Sequence, residues 1–143
     1  MPESISLTPA RLLFRPDGQR YHAGGRLWQG IPSLERTRRG TLYAVFYSGM
    51  KTEEAGNFVV VVQSGDDGRT WRDPEMIVEH PDPRIRTFDP NVWLDPLGRL
   101  WLTYAQSEGF YDGRAGVWAS VCENPDSDDP IWSAPRRFAN GVM

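Results

Sequence analysis

Residues 39–49, RGTLYAVFYSG, return as LGRLWLTYAQS at 97–107, and this recurrence limits the fold more than any other feature of the chain. Gly40 falls on Gly98, 58 positions later, and an aromatic-aliphatic run follows each glycine. At the same offset, IPSLERT (31–37) matches DPNVWLD (89–95), with Pro32 on Pro90. Downstream, GNFVVVVQS (56–64) matches GVWASVCEN (116–124), and TWRDPEMI (70–77) matches IWSAPRRF (131–138), with Trp71 on Trp132. A unit written twice in this way marks a repeat architecture, in which each copy buries apolar faces against its neighbours.

Each copy holds four strand-like runs, at 27–36, 41–48, 57–64 and 70–78 in the first and at 88–94, 99–106, 115–122 and 131–138 in the second. They are rich in Val, Leu, Tyr, Phe and Trp, and Gly, Pro, Asp and Asn punctuate them. Gly 14 and Pro 12 among 143 residues leave little room for long helix. Four consecutive antiparallel strands with a Trp in the last predict an all-β chain of β-propeller blades. The expected units are an N-terminal segment, 1–26, a first blade, 27–79, and a second blade, 80–143. Residues 5–14, ISLTPARLLF, are expected as a strand that closes the ring on the last blade. Two blades of a six-bladed ring leave apolar faces open, so missing blades or self-association must cover them.

The stretch SGDDGRTW (64–71) lies between the third and fourth strands of the first copy. Asp66 is placed to accept bonds from backbone N–H groups of its own turn, and Gly68 to take positive φ. Ser64 and Thr70 bracket the turn, and Trp71 is expected to pack back between neighbouring sheets. The pattern resembles the Asp box, or BNR repeat, of sialidases and related propellers. The second copy, ENPDSDDPIW, keeps the acidic turn and the Trp but lacks the glycine.

In an up-and-down blade the first and third turns share one end, here TRRG (37–40), SGDDGRTW and DPLG (95–98). The longer loops SGMKTEEAGN (48–57), EHPDPRIRTF (79–88) and QSEGFYDGRA (106–115) share the other. They gather Glu53, Glu54, Arg84, Arg86, Asp89, Glu108, Tyr111, Asp112 and Arg114. Long polar loops on a rigid scaffold are where binding sites usually sit, and carboxylates beside arginines and an aromatic suit a sugar. The opposing reading is that charged loops are simply solvated, with Arg86 paired to Asp89 to hold the crossover.

Net charge is −3 with no dense basic patch, which excludes nucleic acid as the expected partner. His22 and His80 lack metal-ligand spacing, so no metal and no cofactor are expected. Cys122 is the only cysteine and reads as a small buried apolar residue. No apolar run is long enough to span a membrane. The opening MPESISLTPARLLFRPDG lacks a signal pattern, so the chain as given reads as cytoplasmic, with secretion left open if upstream residues are missing.

RLWQGIPSLERT (26–37), GNFVVVVQSGDDGRTW (56–71) and FDPNVWLDPLGRLWLTYAQS (88–107) together resemble the BNR-repeat, sialidase-like family of six-bladed propellers. The resemblance implies a retaining exo-glycosidase, of which this chain is similar to the N-terminal portion. It implies a Tyr/Glu nucleophile pair that lies beyond this chain, and an acid/base carboxyl between the first inner strand and the Asp box. Glu53 or Glu54 fills that interval. Trp28, Gln29, Arg36, Arg86, Asp89 and Tyr111 are the expected substrate-binding residues. Sialidases read Arg-Ile-Pro at the first inner strand, where this chain reads Gly30-Ile31-Pro32. The first arginine of the carboxylate clamp is therefore absent. The alternatives are a propeller that binds glycan or protein without hydrolysis, and an assembly module whose bare blade faces recruit partners.

Overall fold

The computed structural model describes residues 4–110 and 112–141, and places nine strands in two antiparallel sheets. In chain order the strands are β1 (Arg11–Phe14), β2 (Trp28–Arg36), β3 (Leu42–Gly49), β4 (Phe58–Ser64), β5 (Arg72–Glu79), β6 (Ile85–Leu94), β7 (Leu100–Glu108), β8 (Gly116–Cys122) and β9 (Arg136–Asn140). The first sheet has five strands in the order β1-β5-β4-β3-β2, and the second has four in the order β6-β7-β8-β9. Two short 3-10 turns, Ile5–Leu7 and Gln19–Tyr21, complete the regular structure, and no helix among the described residues is long and apolar enough to cross a membrane.

β4 is nearly continuous Val because both of its faces are covered. Val59 and Val61 turn toward the second sheet and join Tyr43, Val45, Tyr47, Met76 and Val78 against Phe88, Val92, Leu100, Leu102 and Tyr104. Phe58, Val60 and Val62 turn the other way with Ile77, where the N-terminal segment covers them through Leu13 and Tyr21. Arg20 lies 4.9 Å from the Phe58 ring centroid and Arg26 lies 5.2 Å from that of Phe46. Arg26 is itself held by Asp73, at 2.6 and 2.9 Å.

The sheets meet through equivalent positions of the repeat. Ser33 Oγ on β2 donates to Asn91 Oδ1 on β6 at 2.8 Å, and Glu35 accepts from the backbone N–H of Leu94 at 3.0 Å. Thr87 Oγ1 donates to the Val78 carbonyl at 2.7 Å and accepts from Val59 N–H at 3.0 Å. At the far end Tyr43 donates to the Pro125 carbonyl, and Thr37 and Thr41 both donate to Asp126 Oδ1.

Three expectations change. β1 lies on the outer edge of the first sheet, Leu12 opposite Val78 and Phe14 opposite Met76, which makes that sheet five-stranded rather than four. Residues 11–14 thus extend the first sheet at its outer edge, and residues 5–7 form a 3-10 turn instead of continuing the strand. The last strand begins at Arg136, not 131. Pro130 and Pro135 flank Ile131–Ala134 and deny the ladder donors, leaving one isolated bridge, Trp132 to Cys122. The first strand of the second sheet begins at Ile85 rather than 88, so Asp89-Pro90 lies within it as Ile31-Pro32 lies within β2, each at a register shift.

Candidate functional site

The strand order separates two ends. The tight turns after β2, β4 and β6 share one end, and the loops after β3, β5 and β7 share the other. At the second end the loops hold one another: Asn57 O accepts from Thr87 N–H at 3.0 Å, and Arg84 O accepts from Gly109 N–H at 2.8 Å.

The turn at 64–71 is closed within itself. Ser64 Oγ donates to Asp66 Oδ1 at 2.8 Å, Thr70 N–H donates to the same oxygen at 2.8 Å, and Thr70 Oγ1 donates to Asp66 Oδ2 at 2.5 Å. Ser64 Oγ also accepts from Gly68 N–H at 2.8 Å, with Gly68 at φ 83°. The Thr70 hydroxyl and amide, then the Ser64 hydroxyl, pull the Asp66 carboxyl down to about 2. Trp71 does not pack between the sheets. It is 39% exposed and donates from Nε1 to Gly68 O at 3.1 Å, lying over its own turn. Hydrogen bonds of Asp66 are all spent on the turn, which suits a staple and offers no chemistry.

Arg36 sits at this same end. Its Nη1 donates to Asp67 Oδ1 at 2.9 Å, eight residues along β2 from Trp28, which is roughly 26 Å of strand. It is therefore removed from the loop rim, contrary to expectation. Gln29 is exposed, and strand alternation turns it to the opposite face from Trp28. Tyr111 lies outside the described residues.

At the loop end Glu53 and Glu54 part ways. Glu54 is engaged in its own turn, accepting from Lys51 N–H at 3.1 Å while its N–H donates to Asn57 Oδ1 at 2.6 Å. Glu53 accepts a hydrogen bond from the Tyr47 hydroxyl. Burial, then this bond, push the Tyr47 phenol well above its ordinary range. Trp28 packs edge-on against Tyr47, with ring centroids 5.1 Å apart at 63°. Asp89 approaches these loop-end side chains from the second sheet, near enough to Glu53 and Arg86 for their charges to act on its carboxyl; this loop-end group is termed the mouth. Burial, then the Glu53 carboxylate, raise its carboxyl above the ordinary value, and Arg86 opposes them.

Arg86 is 2% exposed. Its Nη2 donates to the Phe110 carbonyl at 3.1 Å, and its Cζ lies 3.7 Å from the Phe88 ring centroid and 4.6 Å from that of Phe110. Arg84 is engaged by Asp82 at 2.8 Å and by Glu108 at 3.9 Å, and its guanidinium holds the Asp82 carboxyl at about 2. The mouth thus joins Trp28, Glu53, Arg86 and Asp89 of the expected residues, and adds Tyr47, Phe88 and Phe110, which alternation alone marks as core or rim.

No family model matches the chain, and no curated protein sequence matches it. Among solved structures it is similar to the Hadza microbial sialidase Hz136, with a TM-score of 0.64 and 20% sequence identity. The match covers 82% of this chain and 28% of that one. The likeness is one of fold, and this chain spans well under a third of the length of the sialidase.

Proposed function

We propose that this chain supplies two blades of a sialidase-like exo-glycoside hydrolase that removes terminal sugars from glycans. The observation that carries the reading is the convergence of Glu53 and Asp89, one from a loop of the first sheet and one from the second sheet, where burial and then the Glu53 carboxylate raise the Asp89 carboxyl. Two carboxyl groups at one mouth are the side-chain set that acid catalysis at a leaving oxygen calls for. Glu53 is the proton donor in this reading, with Tyr47 fixing its orientation. Asp89 and Trp28 hold the sugar through its hydroxyls and its apolar face. Glu54 has no part, being occupied by the turn at Lys51.

The test is incubation of the full-length parent protein, which in this reading carries the nucleophile, with a panel of aryl glycosides and end-labelled oligosaccharides, with released sugar read by mass spectrometry; these two blades alone are expected to release none. Release is expected, with Glu53→Gln lowering the rate by roughly a hundredfold or more. Glu54→Gln should leave it within about twofold, because a carboxylate outside the mouth makes no transition-state contact. Absence of product from every substrate, or a Glu53→Gln rate equal to the parent's, would overturn the reading.

A further inference from the structure

The 3-10 turn Ile5–Leu7, flanked by Ser4 and Thr8, lies at the loop end, and two buried side chains hold it there. Gln106 on β7, fully buried, donates from Nε2 to the Ser6 carbonyl at 2.8 Å and to the Thr8 carbonyl at 2.7 Å. His80, just past β5 and 4% exposed, meets the Thr8 hydroxyl through Nε2 at 2.9 Å. The Ser6 hydroxyl lies close enough to the Asp112 carboxyl to stabilise its charge. One short segment thus ties the crossover after β5 to the loop after β7.

The partners fix which nitrogen of His80 carries the proton. Asp82 N–H donates to Nδ1 at 3.0 Å, and a backbone amide can only donate, so Nδ1 is bare. The Thr8 hydroxyl gives its own proton to the Ile5 carbonyl at 2.7 Å, so it accepts one from Nε2–H. The ring is therefore the neutral Nε2–H tautomer with both nitrogens in use. A second proton can go only to Nδ1, where it faces the Asp82 amide hydrogen and removes that amide's acceptor. The acids around the ring are taken by other partners. Asp82 is paired with Arg84 at 2.8 Å, and Glu108 lies 3.9 Å from the same guanidinium. Asp112 accepts from the N–H groups of Glu108 and Arg114, and Glu79 is held by Arg11, Arg20 and Tyr21. Ser4–Thr8 carries no charged side chain. Burial pushes His80 below its ordinary value, and the backbone of Thr8, the Asp82 charge and the backbone of Asp82 and Ile5, which favour the cation, do not offset it.

We infer that His80 is an acid-opened latch, whose protonation at Nδ1 releases residues 4–8 from the loop end and frees the two loops that this segment holds together. An imidazole in the opened chain takes up its proton below about 6.5, whereas the closed one resists it. Acid therefore favours the open form, and closure returns as pH rises through that range. The effect reaches the mouth through the loop after β7, where Ser107 Oγ and Arg86 Nη2 both donate to the Phe110 carbonyl, at 3.3 and 3.1 Å. The latch does not depend on what the mouth binds.

The experiment is amide hydrogen exchange of the full chain at about pH 7.5 and about pH 5, corrected for intrinsic rates and read by mass spectrometry, with the His80 ring nitrogens followed by NMR. Protection over 4–10 and 80–86 is expected to fall several-fold in acid, toward a ceiling of about thirtyfold set by an opened imidazole with a pKa of about 6.5. β4 should keep its protection. At the higher pH the ring should carry its proton on Nε2. His80→Gln keeps a donor and an acceptor but cannot titrate, so its protection over 4–10 should be the same at both pH values. If that variant does not fold, exchange and ring resonances in the parent protein still decide. Equal protection over 4–10 at the two pH values, an acid-induced loss that persists in His80→Gln, or a ring protonated on Nδ1 at the higher pH would overturn the latch.

Discussion

Ile31 and Asp89 occupy the same left-handed backbone kink in the two copies of the repeat. φ is 53° at Ile31 and 47° at Asp89, each precedes a proline, and each lies where the innermost strand of its sheet shifts register. The backbone has kept the kink in both copies while the side chains have diverged. A β-branched residue is poorly suited to positive φ, whereas Asp tolerates it and here delivers its carboxyl to the loop-end mouth.

Ile31 is therefore a site where stability is recoverable. Its strain costs on the order of 1–3 kcal/mol, and with the side chain 54% exposed little burial is lost on replacement. Ile31→Gly relieves the strain and costs about 0.5–1 kcal/mol through the freer unfolded chain. The expected net is a stabilisation of roughly 1 kcal/mol by urea denaturation. A less stable variant would show that Ile31 packs more than its exposure suggests.

Asp89 should carry the opposite balance, in favour of function. Burial, then Glu53, raise its carboxyl in the folded state above the unfolded value. The native state then holds a proton the unfolded chain has already released, so stability falls as pH climbs above about 4. Asp89→Asn removes that loss. Its melting temperature should exceed the parent's at pH 7 and equal it near pH 3. A variant less stable at pH 7 would mean that the ionised carboxylate is held by favourable partners.

Asp126 should be the main polar tie between the sheets at the turn end. Thr37 and Thr41 donate to its Oδ1 at 2.5 and 2.7 Å, and Thr37 is 4% exposed. Asp126→Ala leaves these hydroxyls unpaired and is expected to cost about 1–3 kcal/mol. Asp128 lends only its carbonyl, to Arg15 and Arg72, so Asp128→Ala should stay within about 0.5 kcal/mol. Equal melting temperatures for the two variants would sink the assignment.

The sheets were legible because buried strands write their pattern directly. FVVVVQS and LYAVFYSG have no other comfortable conformation, and their recurrence fixed the pairing of copies. The rim strand Arg11–Phe14 was legible as a strand but not as a neighbour of β5, since four residues carry no register of their own. IWSAP reads as a strand by composition and fails as one because Pro135 withholds a donor. Arg36 precedes the tight turn at Thr37–Gly40, so its position at the turn end was implicit in the strand order. Tyr47 was hidden for another reason. It alternates with Tyr43 and Val45 as core, and only the path of the following loop brings Glu53 back to its hydroxyl.

The turn at 64–71 should make a large part of its stability contribution through ionised Asp66, and acid should therefore weaken it. The carboxyl sits at about 2 in the folded protein because the Thr70 hydroxyl, the Thr70 amide and the Ser64 hydroxyl all donate to the charged form. Its folded value lies below the unfolded one, so the contribution is whole above about 4 and is lost as pH falls from there toward 2. Asp66→Asn keeps the shape but places an amide NH₂ where Thr70 Oγ1–H or the Thr70 N–H expects an acceptor. The melting temperatures of the parent and Asp66→Asn should differ at pH 7 and converge as pH approaches 2. Trp71, stacked over the turn through its bond to Gly68 O, should report the loosening by fluorescence before the global transition. A gap between the two proteins that persists unchanged to pH 2 would mean that shape, and not charge, is what Asp66 contributes.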